Sequence, residues 1–502
     1  MENKPHYQLY IDGDWVSGST QQSMDSENPA TGEIWATFDC ASKSDVNRAV
    51  SAARRALSDT SWRDISQTQR GKLLHKLADL IEENAELIGQ VETNDSGKLL
   101  AETSTQTSYV ADYYRYYAGL ADKIEGSVLP IDKPNMHVFT RREPIGVVVA
   151  VVPWNAQMFL TATKLGPALA AGCTVILKAS EIAPAPMFEF AKLIQQAGFP
   201  PGVISVITGD AENCSIPLTS HPEIDRIAFT GGPDTARHVI KNSSENFAVT
   251  SLELGGKSPI IVFDDANLES AANGLIAGNF GASGQSCVAG SRGLIHKNIF
   301  NDLIKIIIAK SKNIKVGNPL NAETNIGPLC TKAQINNISK TLAISKSQGA
   351  KIHFGGSPLK RAGNYMEPTL VECPNSEDEA SSTSRNVPPQ PKWVPKPKTE
   401  PKDPAPLGSP GSTSVQDRAA STAGDGLNPS GFDVRGGLDP SGSGAPPAPG
   451  PPAATPLQSK AGAKAALSKA AGPPPAPGRQ PPAAAGRDRS RTPAPATSPL
   501  VA

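Results

Sequence analysis

The sequence predicts an α/β protein built around a mainly parallel, doubly wound sheet. The segment 145-IGVVVAVVPWN is a continuous apolar run of the kind found in buried strands. Strand-like and helical patterns alternate after it, in 174-TVILKAS, 185–197, 203-VISVITG, 211–220, 225-DRIAFTGG, 234–242 and 258-SPIIVF. This alternation predicts βαβ units. A second α/β block is expected from near Leu254 to about Cys373.

The segment before this sheet predicts a hairpin and then helices. Residues 8–16, QLYIDGDWV, alternate around an Asp-Gly turn, which is a strong hairpin signal. From Ser44 the apolar residues recur at helical spacing. A later helix carries a row of four tyrosines, and its i, i+4, i+7, i+8 spacing predicts that they form the core-facing side. They are Tyr109, Tyr113, Tyr116 and Tyr117.

Composition changes sharply near residue 373. Residues 374–502 hold 27 of the 46 prolines and contain no Ile, Met, Cys, Tyr or His. Such a segment cannot bury enough apolar surface to offset its ordering entropy, so we predict that it is disordered. Lys+Arg and Asp+Glu both number 48 in the whole chain, a balance that favours neither nucleic acid nor a membrane as partner.

The cysteines indicate a reduced, cytoplasmic protein. All six lie before residue 374, widely scattered and without a C-x-x-C pair. The start of the chain has no basic segment followed by an apolar one, so we expect no signal peptide. No pattern of metal ligands is evident, and we predict no metal site.

Three residues have the chemistry for covalent catalysis, and each also has an ordinary structural interpretation. Cys287, in 284-GQSCVAGSR, is flanked by small residues that let a substrate approach, but it is also typical of an inert buried cysteine. Glu253, in 251-SLELGGKSP, is either a general base or a surface residue at a strand end. Asn155, in 153-PWN, is either an oxyanion donor or a turn residue.

Two further motifs suit a nucleotide. Lys178 and Glu181 follow the strand-like segment 174-TVIL, and strand ends in parallel sheets are where ligands bind. A carboxylate there can accept both ribose hydroxyls and would repel a 2′-phosphate; the alternative is a solvated charge pair. In 229-FTGGPDTA, Gly231 and Gly232 precede a predicted helix, whose N-terminus can face a phosphate. As a bare pattern this loop is weak.

Together, the order of these motifs resembles the aldehyde dehydrogenase superfamily, from about residue 8 to residue 372. The matching segments are 153-PWN, 164-KLGPALAAGCTVILKASE, 201-PGVISVITG, 229-FTGG, 252-LELGGKSP, 284-GQSC and 327-GP. Glu253 and Cys287 are 34 residues apart, which is the usual separation in the family.

The resemblance implies oxidation of an aldehyde to a carboxylic acid with NAD, and less readily NADP. Cys287 would attack the aldehyde, and Asn155 with the Cys287 backbone N–H would bind the oxyanion. Hydride transfer to the nicotinamide would leave a thioester, which water activated by Glu253 would hydrolyse. The resemblance assigns a further set of residues to the cofactor: Trp154, Lys178, Glu181, Gly231, Gly232 and Leu254.

The resemblance also implies a domain organisation. It predicts a Rossmann-like NAD-binding domain (1–125 and 145–253), an oligomerisation arm (126–144), a truncated catalytic domain (254–373) and the disordered tail (374–502). A Glu-Ile-Phe-Gly-Pro motif and a final strand, both expected in the family after residue 373, do not follow here. The family's homo-oligomer is therefore doubtful for this chain. An inactive relative, or a chimeric chain with a disordered interaction tail, is the alternative interpretation.

Overall fold

A computed structural model describes residues 4–374 of the chain. Its strands are β1 (His6–Tyr7), β2 (Leu9–Ile11), β3 (Asp14–Val16), β4 (Ser23–Asn28), β5 (Glu33–Asp39), β6 (Val128–Leu129), β7 (Val138–Phe139), β8 (Val147–Val151), β9 (Thr174–Lys178), β10 (Ile204–Ile207), β11 (Arg226–Gly231), β12 (Val249–Leu254), β13 (Pro259–Val262), β14 (Arg292–Ile295), β15 (Lys351–Phe354) and β16 (Leu370–Glu372). Its α-helices are α1 (Lys43–Ser58), α2 (Thr60–Arg63), α3 (Gln67–Glu83), α4 (Ala85–Ser96), α5 (Leu100–Leu120), α6 (Gln157–Ala170), α7 (Ala185–Ala197), α8 (Ile216–Thr219), α9 (Pro233–Ser243), α10 (Leu268–Phe280), α11 (Phe300–Ser311) and α12 (Lys332–Ser347).

The main sheet has the strand order β12-β11-β8-β9-β10-β2-β3. Its first five strands are mutually parallel, and β2 and β3 are added as an antiparallel pair. The predicted α/β class and the predicted hairpin are confirmed. The hairpin turns at Asp12 and Gly13, which both have positive φ, as a two-residue turn between twisted strands requires. β12 is absent from the predicted series of strands, although one interpretation of Glu253 placed it at a strand end.

Helices cover both faces of the main sheet, as the doubly wound prediction requires. Val148 and Ala150 of β8 join an apolar cluster with residues of α3, α5, α6 and α7. Val147 and Val149, on the opposite face of the same strand, join a second cluster with α1, α8 and α9. Because side chains alternate along a strand, a strand buried on both faces must be apolar throughout, which is why this segment is recognisable in the sequence.

The predicted core-facing side of α5 is right for two of its four tyrosines and wrong for the other two. Tyr113 and Tyr117 are partly buried against the core, but Tyr109 and Tyr116 are exposed, and the fully buried tyrosine of this helix is Tyr114. The buried residues of α5 are Thr103, Thr107, Val110, Ala111, Tyr114 and Ala118. Their spacing is as helical as that of the tyrosine row, and most of them are smaller. Small residues let α5 pack closely against its neighbours, so helix packing selects this face.

The segment after β12 builds a separate block. β13 and β14 form a two-stranded parallel sheet, and β15 and β16 form a two-stranded antiparallel one. α10 and α11 pack on β13 and β14 through an apolar cluster that includes Ile276 and Ile304. All of residues 4–374 belong to one compact unit, so the domain boundary expected at 253/254 stays a prediction.

Two remaining segments bear on the predicted organisation. Within 126–144, β6 and β7 form an antiparallel hairpin that exposes Val128 and Phe139. Its role as an oligomerisation arm stays a prediction. Apart from Pro374, the predicted disordered tail lies outside the described residues. Within residues 4–374, no helix is both long enough and apolar enough to cross a bilayer.

Candidate active site

The predicted site residues lie where the parallel strands of the main sheet end. The carboxyl ends of parallel strands share one edge of a sheet, which is the usual place for a ligand. Asn155 follows β8, Lys178 ends β9, Gly231 ends β11 and Leu254 ends β12. In the strand register Gly231 is opposite Leu254, and Lys178 is opposite Val151. The sheet therefore gathers residues that are far apart in the chain.

A cavity of about 600 Å³ opens at this edge. Its lining combines strand ends of the main sheet with segments of the second block. The predicted site residues that line it are Trp154, Asn155, Gly231, Gly232, Leu254 and Cys287. Lys178, Glu181 and Glu253 lie outside this lining. The structure thus brings the proposed nucleophile and oxyanion donor to one cavity and places the proposed base elsewhere.

Cys287 lies on a loop between α10 and β14 and is partly exposed. Asn155 Nδ2 donates a hydrogen bond of 2.7 Å to the backbone carbonyl of Gln285, two residues before the cysteine. An asparagine amide has two N–H donors, so one remains for a substrate oxygen. This bond ties the cysteine loop to the loop that follows β8, and it sets the position of Cys287 relative to Asn155.

Glu253, on β12, is exposed and lines a second cavity of about 340 Å³. Lys164 of α6 lines the same cavity, and its Nζ donates a 2.6 Å hydrogen bond to Thr230 Oγ1. Burial lowers the pKa of the Lys164 ammonium to about 8, although the negative charges of Glu253 and Cys287 favour its protonated form. Lys164 is therefore electrostatically coupled to both proposed catalytic residues.

Lys178 and Glu181 form an ion pair, with 2.7 Å between Lys178 Nζ and Glu181 Oε2. The lysine side chain is 5% exposed and the glutamate side chain is 51% exposed. Burial alone would raise the pKa of Glu181, but the charge and hydrogen bond of Lys178 outweigh it and lower that pKa. A charged carboxylate thus stands at the surface beside β9, held by a buried cation.

The glycine loop after β11 leaves room for a ligand. A Cβ on Gly231 would lie 2.5 Å from the ring of buried Phe229, so a larger residue would require that ring to shift. A Cβ on Gly232 would meet nothing within 4 Å, which marks open space. Gly232 caps α9, whose first turn begins with Pro233 and has no side-chain cap. Its backbone N–H groups are available to an anion.

Sequence reasoning missed two residues of this region. Lys164 stands in the matched segment 164-KLGP, but nothing local indicated that its side chain would lie near Glu253 and Cys287. Gln285 precedes the cysteine in 284-GQSC, and its side-chain oxygen accepts a 3.0 Å hydrogen bond from the Cys330 backbone N–H. Both contacts join segments that are distant in sequence, which no local pattern encodes.

Comparison with known proteins identifies the chain. The model of the aldehyde dehydrogenase family matches residues 15–383. The chain belongs to the aldehyde dehydrogenase family. This match ends ten residues after residue 373, where the motifs in the sequence indicated that the resemblance stops. Family membership supports NAD(P)-dependent aldehyde oxidation as the activity, and it favours this interpretation over an inactive or chimeric chain.

Individual relatives agree with this assignment. The chain is 54% identical to a (Z)-2-((N-methylformamido)methylene)-5-hydroxybutyrolactone dehydrogenase of Acinetobacter baylyi, over 75% of this chain and 76% of the relative. It is 39% identical to a putative aldehyde dehydrogenase, DhaS, of Bacillus subtilis, over 76% of each chain. A betaine aldehyde dehydrogenase of Staphylococcus aureus in complex with NAD+ superposes with a TM-score of 0.74 at 35% identity, over 75% of this chain and 76% of that one.

Proposed function

We propose that this aldehyde dehydrogenase uses Cys287 as its nucleophile and Asn155 as an oxyanion donor. The observation that supports this assignment is the hydrogen bond from Asn155 to the carbonyl of Gln285, beside the cavity that Cys287 also lines. The Cys287 thiolate attacks the aldehyde carbon, and the carbonyl oxygen becomes an oxyanion. The free Asn155 N–H and the Cys287 backbone N–H stabilise that charge.

Glu253 is proposed as the base that activates water for hydrolysis of the thioester. Glu253 lines the cavity that Lys164 also lines, and in the strand register it is opposite Thr230 of β11. For hydrolysis, the carboxylate must approach the thioester carbon through one water molecule. The Lys164 ammonium interacts electrostatically with both Glu253 and Cys287, so it links the proposed base with the proposed nucleophile.

The residues at the strand ends fit a dinucleotide cofactor. The open space at Gly232 and the uncapped first turn of α9 suit a pyrophosphate. Lys178 and Glu181 suit the hydroxyls of the adenosine ribose, and Trp154 and Leu254 line the cavity beside Cys287. When bound, the dinucleotide supplies the two-electron oxidant. Because the Glu181 carboxylate would repel a 2′-phosphate, we propose a preference for NAD over NADP.

The substrate is proposed to be a small aldehyde that fits the 600 Å³ cavity. The name of the Acinetobacter relative denotes a 5-hydroxybutyrolactone, a ring form that opens to an aldehyde, and such lactones belong in the substrate panel. A cytoplasmic location is proposed, in keeping with the relatives named cytosolic.

Activity assays with matched variants test these assignments. NADH formation is measured for the full chain over a panel of aldehydes and hydroxylactones, with C287A and with C373A as the control. Cys373 is the other cysteine that is only partly buried. We expect C287A to abolish NADH formation and C373A to keep it. Equal activity in C287A and wild type would refute Cys287 as the nucleophile.

The role of Glu253 has its own readout. If E253Q blocks hydrolysis, one equivalent of NADH forms in a burst and the acyl group remains on Cys287, where mass spectrometry of the intact protein detects it. Steady turnover by E253Q without an acylated intermediate would exclude Glu253 as the base.

A further inference from the structure

The backbone just before the nucleophile has an unfavourable conformation. Ala282, Ser283 and Gly284 have φ values of 52°, 54° and 74°, so three consecutive residues are left-handed. Glycine adopts this conformation freely, but alanine and serine do so rarely because their Cβ approaches the backbone. A left-handed pair of that kind persists only where surrounding contacts hold it.

The contact that holds it from outside the loop comes from Glu102. This residue lies in the first turn of α5, and its Oε1 accepts a 2.9 Å hydrogen bond from the Ala282 backbone N–H. Bonds from a backbone N–H to a carboxylate are among the stronger ones in proteins. The other carboxyl oxygen, Oε2, is buried, and among residues 4–374 no group donates a hydrogen bond to it. Glu102 is therefore committed to the loop rather than to solvent.

The constraint extends from Ala282 to the cysteine. Ala282 accepts a 3.1 Å hydrogen bond from the Gln285 N–H. The Gln285 carbonyl accepts from Asn155 at 2.7 Å, and its side chain accepts from the Cys330 N–H at 3.0 Å. Glu102, Ala282 and Gln285 thus form a chain of hydrogen bonds that reaches Asn155, with Cys287 two residues beyond Gln285.

We propose that Glu102 is a positioning residue for the nucleophile: it holds the left-handed Ala282–Gly284 segment and so fixes Cys287 beside Asn155. Without the Glu102 acceptor, the loop relaxes toward an ordinary conformation and the geometry between Cys287 and Asn155 is lost. This inference rests on the proposed role of Cys287. Burial raises the pKa of the Glu102 carboxyl, against the opposing effects of the Ala282 N–H and Lys98, in keeping with its enclosed environment.

Three substitutions at position 102 separate geometry from charge. E102Q keeps an acceptor oxygen at the same distance from Ala282 but removes the charge. E102D keeps the charge but withdraws the carboxylate by one methylene, and E102A removes both. The matched control is E86A, since Glu86 is an exposed glutamate in the first turn of the neighbouring helix α4. All four are made in the full chain.

Two measurements are made on each variant. The first is kcat and KM for NADH formation with the best aldehyde. The second is the rate at which iodoacetamide alkylates Cys287, followed by peptide mass spectrometry with Cys373 as the internal reference. Alkylation needs no cofactor and no turnover. It therefore reports on the cysteine loop even if the proposed function fails, and the two failures are distinguishable.

We expect E102A and E102D to lose about 10- to 100-fold in kcat, the effect of losing one hydrogen bond to a charged group, with KM changed less than about threefold. The alkylation rate at Cys287 should change relative to Cys373 in both variants. E86A should stay within about threefold of wild type in both measurements, and E102Q, which keeps a weaker, neutral hydrogen bond to the Ala282 N–H, should lose less than E102D. If E102A does not fold, the comparison of E102D with E102Q in the two measurements tests the proposal. Wild-type behaviour of E102D, or an equal loss in E102Q and E102D, would overturn the proposal.

Discussion

Lys164 is expected to destabilise the fold while it supports catalysis, and K164M tests both effects. Burial lowers its pKa from 10.5 to about 8. At about 1.4 kcal/mol per tenfold change, the charged lysine costs about 3 kcal/mol in the folded state at neutral pH. Methionine replaces the apolar stem of lysine without the ammonium, and loss of the hydrogen bond to Thr230 offsets about 1 kcal/mol of the gain. K164M should therefore be more stable than wild type by about 2 kcal/mol at pH 7.

The sign of the pH dependence follows from the direction of the shift. The folded-state pKa of Lys164 is below its unfolded value, so the folded chain binds fewer protons between about pH 8 and 10.5. The penalty is complete below pH 8 and is lost as the pH rises through this window. Urea unfolding of wild type and K164M at pH 7 and at pH 10 measures the difference, which should shrink at the higher pH.

The activity of K164M should change in the opposite direction to its stability. Loss of the ammonium removes a positive charge that interacts with the proposed base Glu253 and the proposed nucleophile Cys287, so kcat/KM should fall although the protein is more stable. Substitution of the exposed Lys72, as K72M, is the control for removal of one positive charge. A K164M variant that is less stable than wild type at pH 7, with an unchanged difference at pH 10, would refute the reasoning.

Three further predictions follow from single contacts. N155A should lower kcat about 100- to 1000-fold, as loss of an oxyanion donor does, and steady-state kinetics would show a much smaller loss if Asn155 served only the loop. G231A should destabilise by about 1–3 kcal/mol, because its Cβ would meet the Phe229 ring; an unchanged thermal midpoint would contradict this. E181A should narrow the preference for NAD over NADP, measured as a ratio of kcat/KM values, and an unchanged ratio would count against the ribose contact.

The elements predicted best were strands buried on both faces and a helix with clear start and stop residues. β8 and the central residues of β9, Val175–Leu177, are buried on both faces, so these side chains are apolar and the runs are visible in the sequence. α7 was predicted over its exact length because a proline stands at its start and a glycine, in the left-handed conformation, follows its end. These signals are local, so they do not depend on how the rest of the chain folds.

The face of α5 shows where local information ends. Two helical rows run along it, one of tyrosines and one of mainly small residues, and each has a regular helical period. Only the approach of the neighbouring helices selects the row with Val110, Ala111 and Ala118 for burial. A close approach favours small side chains, and the distance between helices is a property of the assembled fold.

The sequence alone determined the α/β class, the residues available for chemistry and their placement at strand ends, and the resemblance carried by the order of motifs gave Cys287 its proposed role. The tertiary structure decided which residues share a cavity: Cys287 and Asn155 do, whereas Glu253 lies with Lys164 in another. It also brought the Glu102 carboxylate into a hydrogen bond with the Ala282 N–H, 180 positions away. A hydrogen bond across such a separation leaves no periodic signal, because its two partners are brought together only when the helices and the sheet pack.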